Sequence, residues 1–330
     1  LYAPKQVDAQ PLTLTQIETP VPRANEIRVQ ISACAVCHTD LHICEGELHP
    51  PRLPLVPGHQ IVGVVEARGE DAKRFDLGTR VGVPWLNWID SNCKWFGSDR
   101  ENLCENIRFT GFDTNGGYAE FTCIDEKFAY ALPENFADEK IAPLLCAGAI
   151  GYRALRLSEI QRGETIGLVG FGASAHIVLQ IARFWNKRVL VFTRSAAHQA
   201  HARELGAEWV GAASDTPPRK LDSAIVFAPV GDLVVRALEV SARGATVVHA
   251  GVHSSPLPSF DYNLLYHERT IRSAANSTRR DVEDLMELAA RIPIQTETTI
   301  YPLAEANRAL QDVKHSRVNG AAVLQIREAS

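Results

Sequence analysis

The chain has 330 residues, 45% of them hydrophobic and 22% charged, with a formal net charge of -5. That length suffices for two domains with substantial cores, and the composition is ordinary for a soluble globular enzyme. The acidic balance argues against a nucleic-acid partner, and no apolar run is long enough to span a bilayer or to serve as a signal segment.

The opening residues read as strand-forming, and the stretch up to about residue 130 reads as short strands broken by Pro and Gly. Ile27-Arg28-Val29-Gln30-Ile31 alternates apolar and polar residues as a half-buried strand does. Ile61–Val65 and Thr79–Val83 continue the β character. Near residue 149 the texture changes to apolar strands alternating with helical segments, the pattern of a parallel sheet with crossover helices. Strands are predicted at Thr165–Val169, Arg188–Thr193, Ser223–Phe227, Thr246–Ala250 and Thr270–Ala274, then a helix over 281–290 and a last strand at Ala321–Ile326. The expected plan is α/β, with a β-rich domain formed by 1–148 and 276–330 and an inserted parallel-sheet domain at 149–275. The seven cysteines are odd in number and scattered, which is no secreted disulfide framework and suits a reducing, cytoplasmic setting.

Two thiols and an imidazole stand out by their contexts: Cys37 in Cys-His-Thr-Asp-Leu-His, His59 in Gly-His-Gln, and Cys146 in Leu-Leu-Cys-Ala-Gly. Two thiolates and one neutral imidazole suit a catalytic zinc with one open position. Their separation in sequence does not by itself announce a site, and each alone reads equally well as a buried thiol or a core histidine.

A second motif is independent of these. Strand Thr165–Val169 runs into Gly170-Phe171-Gly172-Ala173-Ser174-Ala175 and then the helical run His176–Phe184. This is the Gly-x-Gly-x-x-Gly/Ala arrangement in its strand–turn–helix context, in which Gly172 lets a pyrophosphate approach the backbone at a helix N-terminus. The next strand ends in Thr193-Arg194-Ser195 instead of the acidic residue that binds the ribose hydroxyls of NAD. A missing carboxylate and an added guanidinium both favour the 2'-phosphate of NADP(H) over NAD(H), although Arg194 also reads as a solvated surface arginine.

Taken together, Cys-His-Thr-Asp-Leu-His at 37–42, Val-Pro-Gly-His at 56–59, Gly-Gly-Tyr-Ala-Glu at 116–120, Cys-Ala-Gly at 146–148 and the glycine turn at 170–175 resemble a zinc-dependent alcohol dehydrogenase of the medium-chain dehydrogenase/reductase family. The resemblance covers essentially the whole chain. It implies a GroES-like catalytic domain and a Rossmann domain, and one catalytic zinc on Cys37, His59 and Cys146. It further implies proton relay from Thr39 through the cofactor ribose to His42, with Asp40 orienting the His59 ring. His38 takes the place of a pyrophosphate contact, and backbone at Pro229–Val230 and Gly251–Val252 would face the nicotinamide. Leu48 and Trp85 fall where the family lines its substrate pocket. A small Leu48 leaves room for alcohols and aldehydes longer than ethanol. A homodimer or homotetramer is implied.

Three departures from the family pattern are evident. Gln60 stands where a glutamate is usual and would be the fourth group near the metal. The positions of a structural zinc lobe are Asp90, Cys93, Phe96 and Cys104, and Phe96 cannot ligate. Either Asp90, Cys93 and Cys104 keep a weakened site or, as the sequence favours, the lobe holds no zinc and packs on Trp88, Trp95 and Phe96. Ala321 replaces an arginine that contacts the pyrophosphate. Competing readings are a zinc-free quinone or enone reductase of the same fold, a related polyol or cinnamyl-type dehydrogenase, and a non-catalytic NADPH-binding protein.

Overall fold

The structure, a computed structural model, describes residues 1–318 and 320–327. Asn319 and 328–330, which belong to the predicted 276–330 segment, lie outside the described residues. The chain divides into two units, Leu1–Ala147 with Thr278–Ser330, and Gly148–Ser277. Among the described residues no helix is long and apolar enough to cross a membrane.

The opening residues are not a strand, in contrast to the expectation. The first strand, β1, begins at Glu26 and runs to Val36. Its buried positions include Ile27, Val29 and Ile31, as the alternation predicts. After it come α1 (His38–Glu45), β2 (Ile61–Arg68), β3 (Arg80–Val83), β4 (Leu86–Ile89), β5 (Ile107–Phe109), β6 (Phe121–Asp125), β7 (Tyr130–Ala131) and the short α2 (Asp138–Ile141).

The second unit carries α3 (Ala147–Leu157, whose first residue closes the first unit), β8 (Thr165–Val169), α4 (Ala173–Phe184), β9 (Arg188–Phe192), α5 (Ala196–Glu204) and β10 (Trp209–Gly211). It continues with β11 (Leu221–Val226), α6 (Gly231–Glu239), β12 (Ser241–His249) and β13 (Thr270–Ser273). The chain then returns to the first unit with α7 (Arg279–Ala289), β14 (Thr298–Pro302), α8 (Ala306–Lys314) and β15 (Ala321–Gln325). Two strands, β10 and β14, were not anticipated. Both lie at sheet edges, where burial is partial and the apolar signal is weak.

In the first unit seven strands form one sheet in the order β14-β15-β1-β2-β3-β7, with β6 also paired to β1. The returning tail is stitched in by antiparallel pairing of β15 with β1, Ala33 opposite Gln325. A separate antiparallel pair, β4 and β5, carries the lobe between residues 90 and 106. The second unit holds six parallel strands in the order β10-β9-β8-β11-β12-β13. Counted within the unit this is 3-2-1-4-5-6, the doubly wound dinucleotide-binding order, and the reversal falls between β8 and β11. The glycine turn therefore leaves β8 at the switch point of the sheet. β8 is buried at all five positions, as a strand covered on both faces must be.

Candidate active site

Cys37 is the N-cap of α1, with an extended backbone. Asp40, in the first turn and fully buried, accepts the Cys37 N–H at 2.9 Å and the Gly58 N–H at 3.1 Å. One carboxylate thus ties the helix start to the segment that enters β2. Its Oδ1 also lies 3.3 Å from Nδ1 of His59. Gly58 makes this approach possible, since its φ is +96° and a Cβ there would stand 2.4 Å from the Tyr118 ring. Tyr118 of the Gly-Gly-Tyr-Ala-Glu motif is therefore a packing partner of the site. Cys146 arrives from the other side, at the end of the turn that precedes α3.

The ligand atoms of Cys37, His59 and Cys146 all lie within 4.8 Å of one another, the only such group of three or more among the described residues. The two sulfurs are 3.8 Å apart and unbonded. Two zinc–sulfur bonds of about 2.3 Å at the tetrahedral angle put their sulfurs about 3.8 Å apart. His59 is fully buried, and its Nε2 has no hydrogen-bond partner among the described residues. A buried imidazole nitrogen with no partner, facing two thiols at the span of a tetrahedral edge, fits a metal ion.

The electrostatics are those of ligands that carry protons until a cation replaces them. The Cys146 thiol hydrogen-bonds Cys37 and holds it well below the usual thiol range, while Cys146 keeps the shared proton and is pushed well above it. Burial works against charging His59, but the Asp40 carboxylate and Cys37 outweigh it and raise the imidazole to about 10.

The other expected site residues sit close by on the same unit. Thr39 Oγ1 is 3.7 Å from Cys37 Sγ. His42 is one turn further along α1 and pairs through Nδ1 with Glu47. His38 is exposed at the helix start, Gln60 is buried beside His59, and Leu48 packs on the edge of the core. The Trp85 ring meets the His59 ring edge-on at 4.7 Å and stacks on Phe109 at 4.8 Å, with Phe112 at 6.0 Å. Phe109 and Phe112 had no distinguishing signal in the sequence. Phe109 joins the wall because β5 pairs with β4 and brings it opposite Leu86, and Phe112 follows in the turn after β5.

The lobe is corrected in its mechanism. Cys93 and Cys104 form a disulfide, so they are not metal ligands. The Asp90 carboxylate accepts the Asn92 N–H at 2.9 Å and Asn106 Nδ2 at 3.2 Å. Trp88 and Trp95 pack against the hydrophobic core, and cations cover the rings as well. Arg108 lies over Trp88, Lys94 and Arg100 over Trp95, and Arg279 over Phe96. Arg279 also grips the buried Glu101 in a fork, with Nη2 to Oε2 at 2.7 Å. These residues do not fit a second zinc. The disulfide also contrasts with the reducing setting inferred from the cysteine count.

In the second unit Gly170 takes a φ of +89° and approaches the Ala228 backbone. Gly172 is the N-cap of α4, and nothing lies within 4 Å of where its Cβ would be, so the backbone there is open to a ligand. Ala173 and Ser174 begin the helix, and Ala175 is fully buried. Thr193 is buried and its carbonyl is held by Gln199, Arg194 is exposed, and Ser195 caps α5 through the His198 N–H. Gly251 and the exposed Val252 follow β12. Ala321 opens β15 and is buried.

Residues 23–134 match the family profile described as alcohol dehydrogenase GroES-like domain, and residues 175–291 the one described as zinc-binding dehydrogenase. The chain is 44% identical over 329 residues to a probable alcohol dehydrogenase, AdhA, of Mycobacterium tuberculosis, covering 98% of this chain and 95% of that one. The chain belongs to the zinc-dependent alcohol dehydrogenases of the medium-chain dehydrogenase/reductase family. An alcohol dehydrogenase of Geobacillus stearothermophilus is 32% identical, with 96% of each chain covered. The fold is also that of a cinnamyl alcohol dehydrogenase of Sorghum bicolor, with a TM-score of 0.90 at 23% identity over 100% of this chain and 98% of that one. As a member of this family the protein is an oxidoreductase acting on alcohols, with a GroES-like domain and a Rossmann domain.

Proposed function

We propose that the protein interconverts primary or secondary alcohols and the corresponding aldehydes or ketones with one zinc ion, held by Cys37, His59 and Cys146, and with NADP(H) in preference to NAD(H). The observation that carries this reading is the convergence of two thiols and an orphaned, buried imidazole nitrogen within 4.8 Å. When bound, zinc supplies Lewis-acid polarisation of a hydroxyl or carbonyl oxygen, and the nicotinamide accepts or donates the hydride.

The chain's own residues do the rest. Asp40 fixes the ring plane of His59 so that Nε2 is the ligating atom. The Thr39 hydroxyl takes the alcohol proton, and His42, backed by Glu47, releases it to solvent. Trp85, Phe109 and Phe112 form an apolar wall beside His59 that excludes water and favours hydrophobic alcohols longer than ethanol. Gly172 and the start of α4 cradle the pyrophosphate, and Arg194 with the Ser195 cap receives the 2'-phosphate. The working form is a homodimer or homotetramer.

The test is a spectrophotometric screen of alcohols and aldehydes with both nicotinamide cofactors, with and without a strong chelator. Activity lost to chelator, restored by zinc and stronger with NADP(H) is expected. Chelator-insensitive reduction of quinones or enones would instead sink the zinc reading.

A further inference from the structure

His249 is the last residue of β12, and it interrupts a strand whose preceding positions Val247 and Val248 are fully buried aliphatics. Its main chain stays in the sheet, where its carbonyl accepts the Ala274 N–H at 2.9 Å. The side chain is 9% exposed, so an imidazole sits where a valine would be the less costly choice. The ring folds forward over the turn that follows it. Nδ1 accepts the Gly251 N–H at 3.2 Å. Nε2 is buried with no hydrogen-bond partner among the described residues. Accepting at Nδ1 leaves the neutral ring with its proton on Nε2, and burial keeps it in that neutral form by lowering its pKa.

The ring is thus held by a single hydrogen bond, and that bond is to the backbone of Gly251. The fit is tight on the other side as well. A Cβ on Gly251 would stand 2.8 Å from His249 Cε1 and 2.9 Å from the His253 carbonyl oxygen. Residues 250–252 are the first beyond the carboxyl end of β12, an inner strand of the parallel sheet, and it is outside such strand ends that dinucleotides bind.

We propose that His249 is a positioning residue for the nicotinamide: its Nδ1 sets the orientation of the Gly251 peptide and so the Gly251–Val252 backbone that meets the cofactor. The inference rests on the cofactor reading given above. It assigns the imidazole a task that no aliphatic side chain at this strand end performs. A residue needed only to fill the core would have no use for the acceptor at Nδ1.

The experiment compares H249L, which keeps the volume and removes the acceptor, with H249N, whose Oδ1 can take the place of Nδ1. Cofactor KM and direct cofactor binding are measured beside kcat, alcohol KM, zinc content and thermal midpoint. H249L is expected to raise the cofactor KM and Kd about tenfold, which is ~1.4 kcal/mol, with alcohol KM and zinc content near wild type. H249N is expected to recover most of that loss. H249V, which also lacks the acceptor and adds no bulk, is expected to weaken cofactor binding as H249L does, and it serves if H249L does not fold. An unchanged cofactor KM in H249L or H249V, or an H249N no better than H249L, overturns the proposal. A wild-type protein that binds neither NAD nor NADP would instead overturn the cofactor reading itself.

Discussion

Two places in the first unit can be set side by side: the Cys37–His59–Cys146 cluster and the lobe at Asp90, Cys93, Phe96 and Cys104. Each offers two thiols and further side chains that converge in space. In the first, the atoms that could reach a metal make at most weak thiol hydrogen bonds. The sulfurs are 3.8 Å apart and unbonded, and the imidazole Nε2 is buried without a partner. In the second, every such atom is already engaged. The sulfurs bond each other, the carboxylate is taken by Asn92 and Asn106, and the phenyl ring lies under a guanidinium. A metal site is recognised less by its residue types than by the polar atoms that the fold declines to satisfy.

The largest effect that could break this comparison is loss of a ligand from the first place. His59→Ala is expected to remove the zinc and lower turnover on the order of 10³-fold or more, since several kcal/mol of Lewis-acid stabilisation is lost. Zinc analysis and kcat/KM check it together. A His59→Ala protein that retains stoichiometric zinc would show that the ion sits elsewhere.

Next in size is the tie that holds the lobe. Glu101 is 3% exposed and takes three donors of Arg279, including the backbone N–H at 2.7 Å. Glu101→Gln leaves the guanidinium beside a neutral amide in a largely desolvated place. It is expected to lower stability by about 3 kcal/mol in denaturant titration, with zinc content unchanged. The disulfide comes after it. Cys93→Ser with Cys104→Ser opens an eleven-residue separation and is expected to cost about 2.5 kcal/mol. Thiol counting in denaturant checks the bond directly: five free thiols without reductant and seven with it. About two zinc ions per wild-type chain, falling to one in the double variant, would reverse the reading of the lobe.

The two places also differ in how far the sequence reveals them. The cluster was legible because each ligand lies in a short context of its own, and the glycine turn at 170–175 supplied an independent motif of the same enzyme class. The parallel strands of the second unit, apart from the short edge strand β10, followed from the alternation of strands and helices, while their order is seen only in the structure. The lobe was legible only as an absence, in Phe96 and Asp90. Nothing local in Cys93 or Cys104 marks them as partners of each other instead of a metal. Arg279 is 178 residues from Glu101, so the fork that closes the lobe has no local signature at all. The stacking of Trp85 on Phe109 likewise needs the β4–β5 register, a non-local pairing that spacing cannot supply.

The smallest expected effect sits between the two places in character, because Gln60 adjoins a ligand and yet departs from the family pattern. It is 3% exposed, and its backbone carbonyl accepts the Ala35 N–H at 3.0 Å, which fixes the segment that carries His59 into β2. Two thiolates already cancel the charge of a divalent zinc. A carboxylate at position 60 would leave the site anionic in a place with almost no solvent to stabilise it, whereas the amide keeps it neutral. A glutamate can relieve that penalty only by keeping its proton or by moving toward the ion. Gln60→Glu is therefore expected to leave the resting zinc content intact and to change the rate at which a chelator strips it by severalfold, toward faster exchange. Stopped-flow release into a chromogenic chelator, with turnover measured in parallel, reads both quantities. Identical release and identical turnover would show that the amide is idle and that the charge balance at Cys37, His59 and Cys146 does not depend on what lies behind them.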